Sequence, residues 1–296
     1  MTPFTLALHW YKKHGRVLPW RKTRDPYRIL LSEIMLQQTQ VDRVIIYYER
    51  WLKCFPHWRS LAKAKKSEVI RAWSGLGYNR RALFLKAAAE AVVTSGIPES
   101  EEDWQKLKGV GLYTARAISA FSQKKRTLPI DTNIRRVLAR VLFGKPFPNE
   151  QDDRAIETKA MEQFPTRGTY YDVPQALFDI ASLYCTKTPN CADCPLKKHC
   201  LAGPKFLAGK VPIPKRSIKK ANENIRAGKR FPDRIYRGRI LQLLQKMNRA
   251  NIKQLGKKID PTFTPVDQIW LEQLLQRLAK DELITWEKTT VSLPKT

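Results

Sequence analysis

Acidic residues are scarce in this chain of 296: 27 Asp and Glu stand against 55 Lys and Arg, a formal net charge of +28. A charge of that size is costly through self-repulsion unless something anionic is normally bound. Nucleic acid is the first candidate and an anionic membrane surface the second. Long apolar runs are also missing, since none approaches the roughly 18 residues a spanning helix needs. The opening MTPFTLALHWYKKHG lacks the basic start, apolar middle and small-residue cleavage site of a secretory signal. A soluble cytoplasmic protein without a membrane partner is expected. Cysteine is rare too, and four of the five fall within Cys185–Cys200. An odd count clustered in this way is a poor disulfide framework and a good metal site. The fifth, Cys54, reads as a buried apolar thiol.

Alternating strand patterns are nearly absent from the first 200 residues, and no long internal repeat is seen. What is there is helical. PYRILLSEIMLQQTQVDRVIIYYERWLKCF carries long stripes of 3.6-residue period. KSEVIRAWSGLG reads as a helix closed by glycines, and RRALFLKAAAEAVV as another. TNIRRVLARVLF begins at Thr132, a good cap, and stops at Gly144. QALFDIASLYC is a helix running into the cysteines. Residues 203–230 hold nine basic residues, one acidic residue and three prolines. They read as an extended basic linker, either a solubilising tether or a phosphate-tracking arm. Residues 231–296 read as three helices followed by strand, turn, strand, the order of a winged helix-turn-helix. Such a unit docks on DNA or on protein, and its partner stays open. The whole is a mostly α chain with a small C-terminal winged-helix-like α+β domain.

Three groups of residues carry chemistry. Cys185, Cys191, Cys194 and Cys200 are spaced C-x5-C-x2-C-x5-C, which suits a structural zinc or an iron–sulfur cluster. Leu107–Ala115, LKGVGLYTA, places Gly109 and Gly111 in a tight turn between helical segments. That is either an ordinary helix–helix turn or an anion site at a helix start. The third group is a pair of carboxyls. Glu33 falls off the apolar stripe of Tyr27, Leu30, Leu31, Ile34 and Met35, beside Ile29, Leu36 and Gln37, so it lies in a helix apolar nearly all round. Burial raises such a carboxyl's pKa and lets it donate a proton; the alternative is a buried Glu paired with a structural Arg. Asp131 opens a helix beside Thr132 and Asn133, where backbone N–H groups favour its charge, although alone it reads as a helix cap. One carboxyl pushed up and one held down is the pairing that cleaves bonds at an anomeric carbon.

Together these pieces resemble the helix-hairpin-helix (HhH-GPD) DNA glycosylases, and among them the A/G-mismatch adenine DNA glycosylases, the MutY family. The resemblance rests on LPWRKTRDPY, SEIMLQQTQ, GLGYNRRA, LKGVGLYTARAI, IDTNIRRVLAR and the cysteine loop, and covers residues 1 to about 202. It implies a two-domain helical glycosylase over 1–202, a [4Fe-4S] cluster on the loop 185–200 and a cleft active site. It implies that Glu33 protonates adenine, that Asp131 stabilises the oxocarbenium ion and that Asn133 supports Asp131. Tyr113 stands where bifunctional relatives carry a Schiff-base lysine, which implies base excision with little strand cleavage. Trp20, Arg21 and Gln175 match adenine-pocket positions. Gln38, next to Gln37 in LQQTQ, and Tyr78 match residues that fill the stack after base flipping. Gly109 and Gly111 match the phosphate-binding hairpin. The implied partner is a mismatched or damaged duplex, bound by a monomer. Three features depart from the family: the first cysteine gap is five residues instead of six, Asn79 replaces a second tyrosine, and residues 231–296 are too few for the usual nudix-like domain. A thymine or uracil mismatch glycosylase, or a non-catalytic metal-stabilised DNA-binding protein, are the competing expectations.

Overall fold

The computed structural model describes residues 1–214, 225–226 and 228–295. Residues 215–224 and 227 of the expected basic linker lie outside the described residues. The chain opens with α1 (Pro3–His14), whose N-cap Thr2 accepts from the Thr5 amide. A 3-10 turn at Pro19–Lys22 leads to α2 (Pro26–Leu36). Then come α3 (Val41–Cys54), α4 (Trp58–Lys63), α5 (Lys66–Ala72) and α6 (Arg80–Ser95). α7 (Glu101–Gln105) and α8 (Leu112–Phe121) flank the glycine turn, and α9 (Thr132–Phe143), α10 (Asp153–Gln163) and α11 (Val173–Leu183) lead to the cysteine loop. α12 (Gly203–Leu207) follows that loop, inside the segment expected to be linker. The C-terminal part runs α13 (Asp233–Met247), β1 (Arg249–Asn251), α14 (Ile252–Ile259), α15 (Gln268–Lys280), β2 (Thr285–Glu287) and β3 (Thr290–Ser292). β3 lies between the other two strands and pairs antiparallel with both, so that Val291 faces Ala250 and Trp286. Among the described residues no helix is long and apolar enough to cross a membrane.

The chain forms two compact units. The first takes Met1–Glu33, Pro98–Lys106 and the described residues from Val110 to 214; the second takes Ile34–Ile97, Leu107–Gly109 and the described residues from 225 on. Residues 34–97 therefore group with the C-terminal segment. The reason is visible in the packing: Ile70 of α5 belongs to the same apolar cluster as Tyr236, Leu244, Leu271 and Leu275, and Leu83 of α6 packs on it.

In the first unit, α9 presents Ile134, Val137, Leu138 and Val141 at i, i+3, i+4 and i+7, all buried against the apolar faces of α10 and α11. Each such side chain contributes roughly 1.5–3 kcal/mol when fully buried. α11 is apolar nearly all round and packs against α1 as well. It carries Asp179, which has no exposed surface. In the second unit, Trp51 meets Trp73 edge-on at 5.4 Å, and Tyr236 meets Trp270 at 4.8 Å. Lys229, near the end of the expected linker, is buried and bonds Asp260 and Asp267 at 2.8 Å each. Cys54 ends α3 and is exposed, not buried: it falls off the Val44, Tyr48, Trp51 stripe of that helix.

Candidate active site

Three side chains of the first unit converge on one another. Glu33 is 6% exposed, on an α2 whose Tyr27 and residues 29–35 are all buried. Burial pushes its carboxyl up from 4.5 to about 7; a hydrogen bond from the Tyr113 hydroxyl lowers it, the Asp131 charge raises it, and the Arg21 charge lowers it. Tyr113 stands in the first turn of α8. Burial, then the Glu33 and Asp131 charges, raise its phenol well above the usual value, so it stays a neutral donor. Its ring meets Phe178 edge-on at 6.5 Å.

Asp131 caps α9. Its Oδ1 accepts the amides of Asn133 and Ile134, both at 2.8 Å, and its Oδ2 accepts Asn133 Nδ2 at 2.7 Å. The cap is thus Asp131 and not Thr132, which is the first helical residue: Asp131 keeps extended backbone and its Oδ1 accepts the first free amides of the helix. Asn133 is held in turn by Arg136, whose Nη2 donates to Asn133 Oδ1 at 3.1 Å and whose Nε donates to the Cys185 carbonyl at 2.6 Å.

The arginine beside Glu33 has its own partner. Arg21 Nη1 and Nη2 each donate to one oxygen of Asp179 at 2.8 Å, a bidentate fork. Arg16 adds its amide at 2.8 Å and Nε at 2.6 Å to the same carboxylate. Burial alone would raise the Asp179 carboxyl, and these bonds outweigh it and hold it below the usual value. Arg21 Nη2 also reaches the Gln175 carbonyl at 3.5 Å. Trp20, one residue earlier, is buried, and Gln175 is half-buried on α11. Glu33 is therefore not the partner of a structural arginine.

The second unit holds Gln37, Gln38, Tyr78 and Gly109, and Gly111 belongs to the first. Gln38 and Tyr78 both adopt left-handed backbone, φ 57° and 47°, which is uncommon outside glycine. Tyr78 is 62% exposed. Between them lies buried Arg81, whose Nη1 donates to the carbonyls of Ile34, Met35 and Gln37 and whose Nη2 donates to that of Gly77. One guanidinium thus closes the end of α2 and fixes the turn that carries Tyr78. Gly109 has φ +82°, and a Cβ there would come within 2.7 Å of Phe84 Cδ2. Gly111 has φ −92° and caps α8, and a Cβ there would meet nothing within 4 Å. Only Gly109 is required by the turn itself.

The four cysteines line one cavity, together with apolar Val137, Ile180 and Leu196. Arg140, 1% exposed, clips the loop from beneath: Nη1 donates to the Thr186 carbonyl at 2.6 Å and lies 3.5 Å from Cys185 Sγ, while the Cys200 thiol points at the Arg140 carbonyl. Among the described residues no three His, Cys, Asp or Glu side chains gather closely enough to hold one common ion.

Residues 31–166 match the family model of the HhH-GPD superfamily base excision DNA repair proteins. An adenine DNA glycosylase of Mycolicibacterium smegmatis is 32% identical over 284 residues, covering 91% of this chain and 86% of that protein. One of Mycobacterium tuberculosis (strain ATCC 25618 / H37Rv) is 36% identical over 197 residues, covering 65% of each. The solved structure of a thermostable thymine-DNA glycosylase superposes with a TM-score of 0.63 at 28% identity, covering 68% of this chain and 95% of that one. The chain belongs to the adenine DNA glycosylase family of the HhH-GPD superfamily. It spans 65% of the length of the first curated relatives it matches. The Mycolicibacterium match covers a larger share of the chain than residues 1–202 can supply, so it enters the C-terminal segment.

For a member of this family, the structure brings Glu33, Tyr113, Asp131 and Asn133 together, with Arg21, Trp20 and Gln175 in the same unit. Four residues in supporting positions escaped the sequence reading. Asp179 carried a usable signal, a lone acid in an apolar helix, the same one that singled out Glu33. Arg81 sat inside the quoted GLGYNRRA. Arg136 and Arg140 sat inside the quoted IDTNIRRVLAR, but the loop carbonyls they hold, of Cys185 and Thr186, are 49 and 46 residues away.

Proposed function

We propose that the chain is a monofunctional adenine DNA glycosylase of base excision repair, which hydrolyses the N-glycosidic bond of adenine mispaired with guanine or 8-oxoguanine. The observation that carries this reading is a carboxyl poised near neutrality, Glu33, facing a donor-saturated carboxylate, Asp131, across a phenol. A proton held at Glu33 passes to the leaving adenine. Asp131, oriented by Asn133, faces the cationic sugar that develops as the bond breaks. Tyr113 orients Glu33 and offers no amine to capture the sugar, so the strand stays intact. Extruding the base costs a few kcal/mol, and Gln38 with Tyr78 would fill the vacated stack, with Gln37 beside them. Trp20, Arg21 and Gln175 would line the base pocket, and the turn of Gly109 and Gly111 would take a backbone phosphate. The duplex is bound by one copy of the chain, in the cytoplasm.

The cysteine loop would hold a [4Fe-4S] cluster on Cys185, Cys191, Cys194 and Cys200, a reading supported by the four thiols lining one cavity. Bound, such a cluster would clip the loop and neutralise its thiolates. The C-terminal segment is read as a winged-helix-like unit following a basic linker.

The test is release of radiolabelled base from A:G, A:8-oxoguanine, T:G and U:G duplexes, read also for strand breakage. Adenine release without breakage is expected. The second reading, a thymine mismatch glycosylase, is favoured by the superposition on a thymine-DNA glycosylase, and release of pyrimidine alone would establish it. Iron and sulfide in equal amounts with visible absorbance support the cluster, whereas colourless protein carrying zinc rejects it.

A further inference from the structure

Within the second unit the C-terminal segment is docked on α5 and α6. Besides the apolar contact of Ile70 and Leu83, Ser74 Oγ bonds Gln245 at 2.6 Å and Lys66 pairs with Glu282 at 2.7 Å. The docking leaves a groove of about 580 Å³ between the turn that carries Tyr78 and the face of α13; Gln38, Tyr78, Arg80, Arg234, Arg237 and Gly238 are among its lining.

Three features of this groove point to one occupant. Its charge is positive: Arg80, Arg234 and Arg237 share it with one carboxylate, Asp281, which Arg80 approaches at 3.5 Å and Arg237 bonds. Its rim is the left-handed pair Gln38 and Tyr78, held in strained backbone by Arg81. Strain of this kind persists where the surroundings over-determine it, commonly at ligand sites. The third feature is Gly238. It sits inside the 15-residue helix α13, where a Cβ would meet nothing within 4 Å. Glycine weakens a helix interior, and no packing among the described residues requires one here. A bare helix surface facing a basic groove lets an external backbone come close.

We propose that this groove holds the sugar–phosphate backbone of the substrate duplex beside the Gln38–Tyr78 wedge, making α13 part of the DNA-binding surface. This rests on the glycosylase reading above. The occupant is a nucleic-acid backbone because arginine forks match phosphate oxygens and because the wedge residues share the groove. An acidic protein segment is the other outcome of the test.

The probe is a duplex carrying a tetrahydrofuran abasic analogue opposite guanine, titrated with the full chain across a salt series. Gly238→Leu is expected to weaken binding about tenfold or more while the unfolding temperature stays at or above that of the parent, since a Cβ there meets nothing within 4 Å and glycine weakens a helix interior. Arg234→Gln is expected to reduce the slope of log affinity against log salt by about one. Parent-like binding by Gly238→Leu, or an unchanged slope for Arg234→Gln, overturns the proposal. Adenine release from the parent chain would survive that result, so the glycosylase reading would stand. If the parent chain neither binds the analogue nor releases any base, that reading has failed and the groove proposal falls with it.

Discussion

The surroundings of Glu33 and of Asp179 offer a comparison inside one unit. Both are buried carboxyls on apolar helices, α2 and α11. Asp179 receives four donors from Arg16 and Arg21 and is held below its usual value. Glu33 receives the Tyr113 hydroxyl, faces the charge of Asp131 and is pushed to about 7. Burial is common to both, so burial does not decide. The number and charge of the donors decides, and it separates a carboxyl held below its usual value from one pushed to about 7. Asp131 accepts three donors of its own.

The largest expected effect breaks the comparison on the side of chemistry. Glu33→Gln keeps the shape and removes the transferable proton. Single-turnover adenine release should fall at least about a thousandfold, within the range general acids supply, while duplex binding persists. A loss under tenfold would mean that the proton comes from elsewhere. Asp179→Asn should break the other side through folding. It leaves buried Arg21 and half-buried Arg16 without their counter-charge, at a cost of about 3–5 kcal/mol, read by denaturant titration. An unchanged midpoint would show that water satisfies Arg16 and Arg21.

A pH series sharpens the same contrast at a smaller scale. The Glu33 carboxyl is raised from 4.5 to about 7, so the folded state binds its proton more tightly than the unfolded state does. Its contribution to stability is fully present below 4.5 and is lost as pH rises through about 7. The loss is on the order of 3 kcal/mol at 1.36 kcal/mol per unit. Glu33→Gln should therefore match the parent's unfolding temperature near pH 4 and exceed it near pH 8. Asp179 has the opposite sign: its contribution is present above 3.8 and is lost as acid takes the pH down through its lowered folded value. Thermal unfolding of parent and variant at both pH values checks the crossing.

Glu33 was legible in the sequence because it breaks an otherwise apolar helix, and that signal is local. Asp179 breaks α11 in the same way, but its meaning depends on Arg21, 158 residues away, and no spacing rule supplies that distance. Tyr113 and Asp131 were placed by motif, and the convergence of the two with Glu33 is a fact of three dimensions. α6, α9, α11, α13, α14 and α15 were legible from periodicity to within a few residues, whereas α1, α4, α7 and α10 were not singled out and α12 was read as linker. β1, three residues long, was not, because its pairing with β3 closes over some 40 residues. Docking of the C-terminal segment on α5 was hidden for a similar reason: Ile70 reads as one more apolar residue of a short helix and gives no hint of which surface covers it.

The smallest effect tests Tyr113 itself. Its hydroxyl lowers the Glu33 carboxyl, against burial and the Asp131 charge, which raise it. Tyr113→Phe removes the lowering influence and keeps the ring against Phe178. Glu33 should then hold its proton to higher pH, and the alkaline limb of the pH–rate profile should move upward. At pH 6, where the parent is already mostly protonated, the rate should change only a few-fold. A limb that stays in place would show that the phenol acts on something other than Glu33. A limb that moves downward would show that burial around Glu33 loosens when the hydroxyl is lost. Either result would recast the donor argument, since Glu33 differs from Asp179 by having this one weak, neutral donor in place of two arginines.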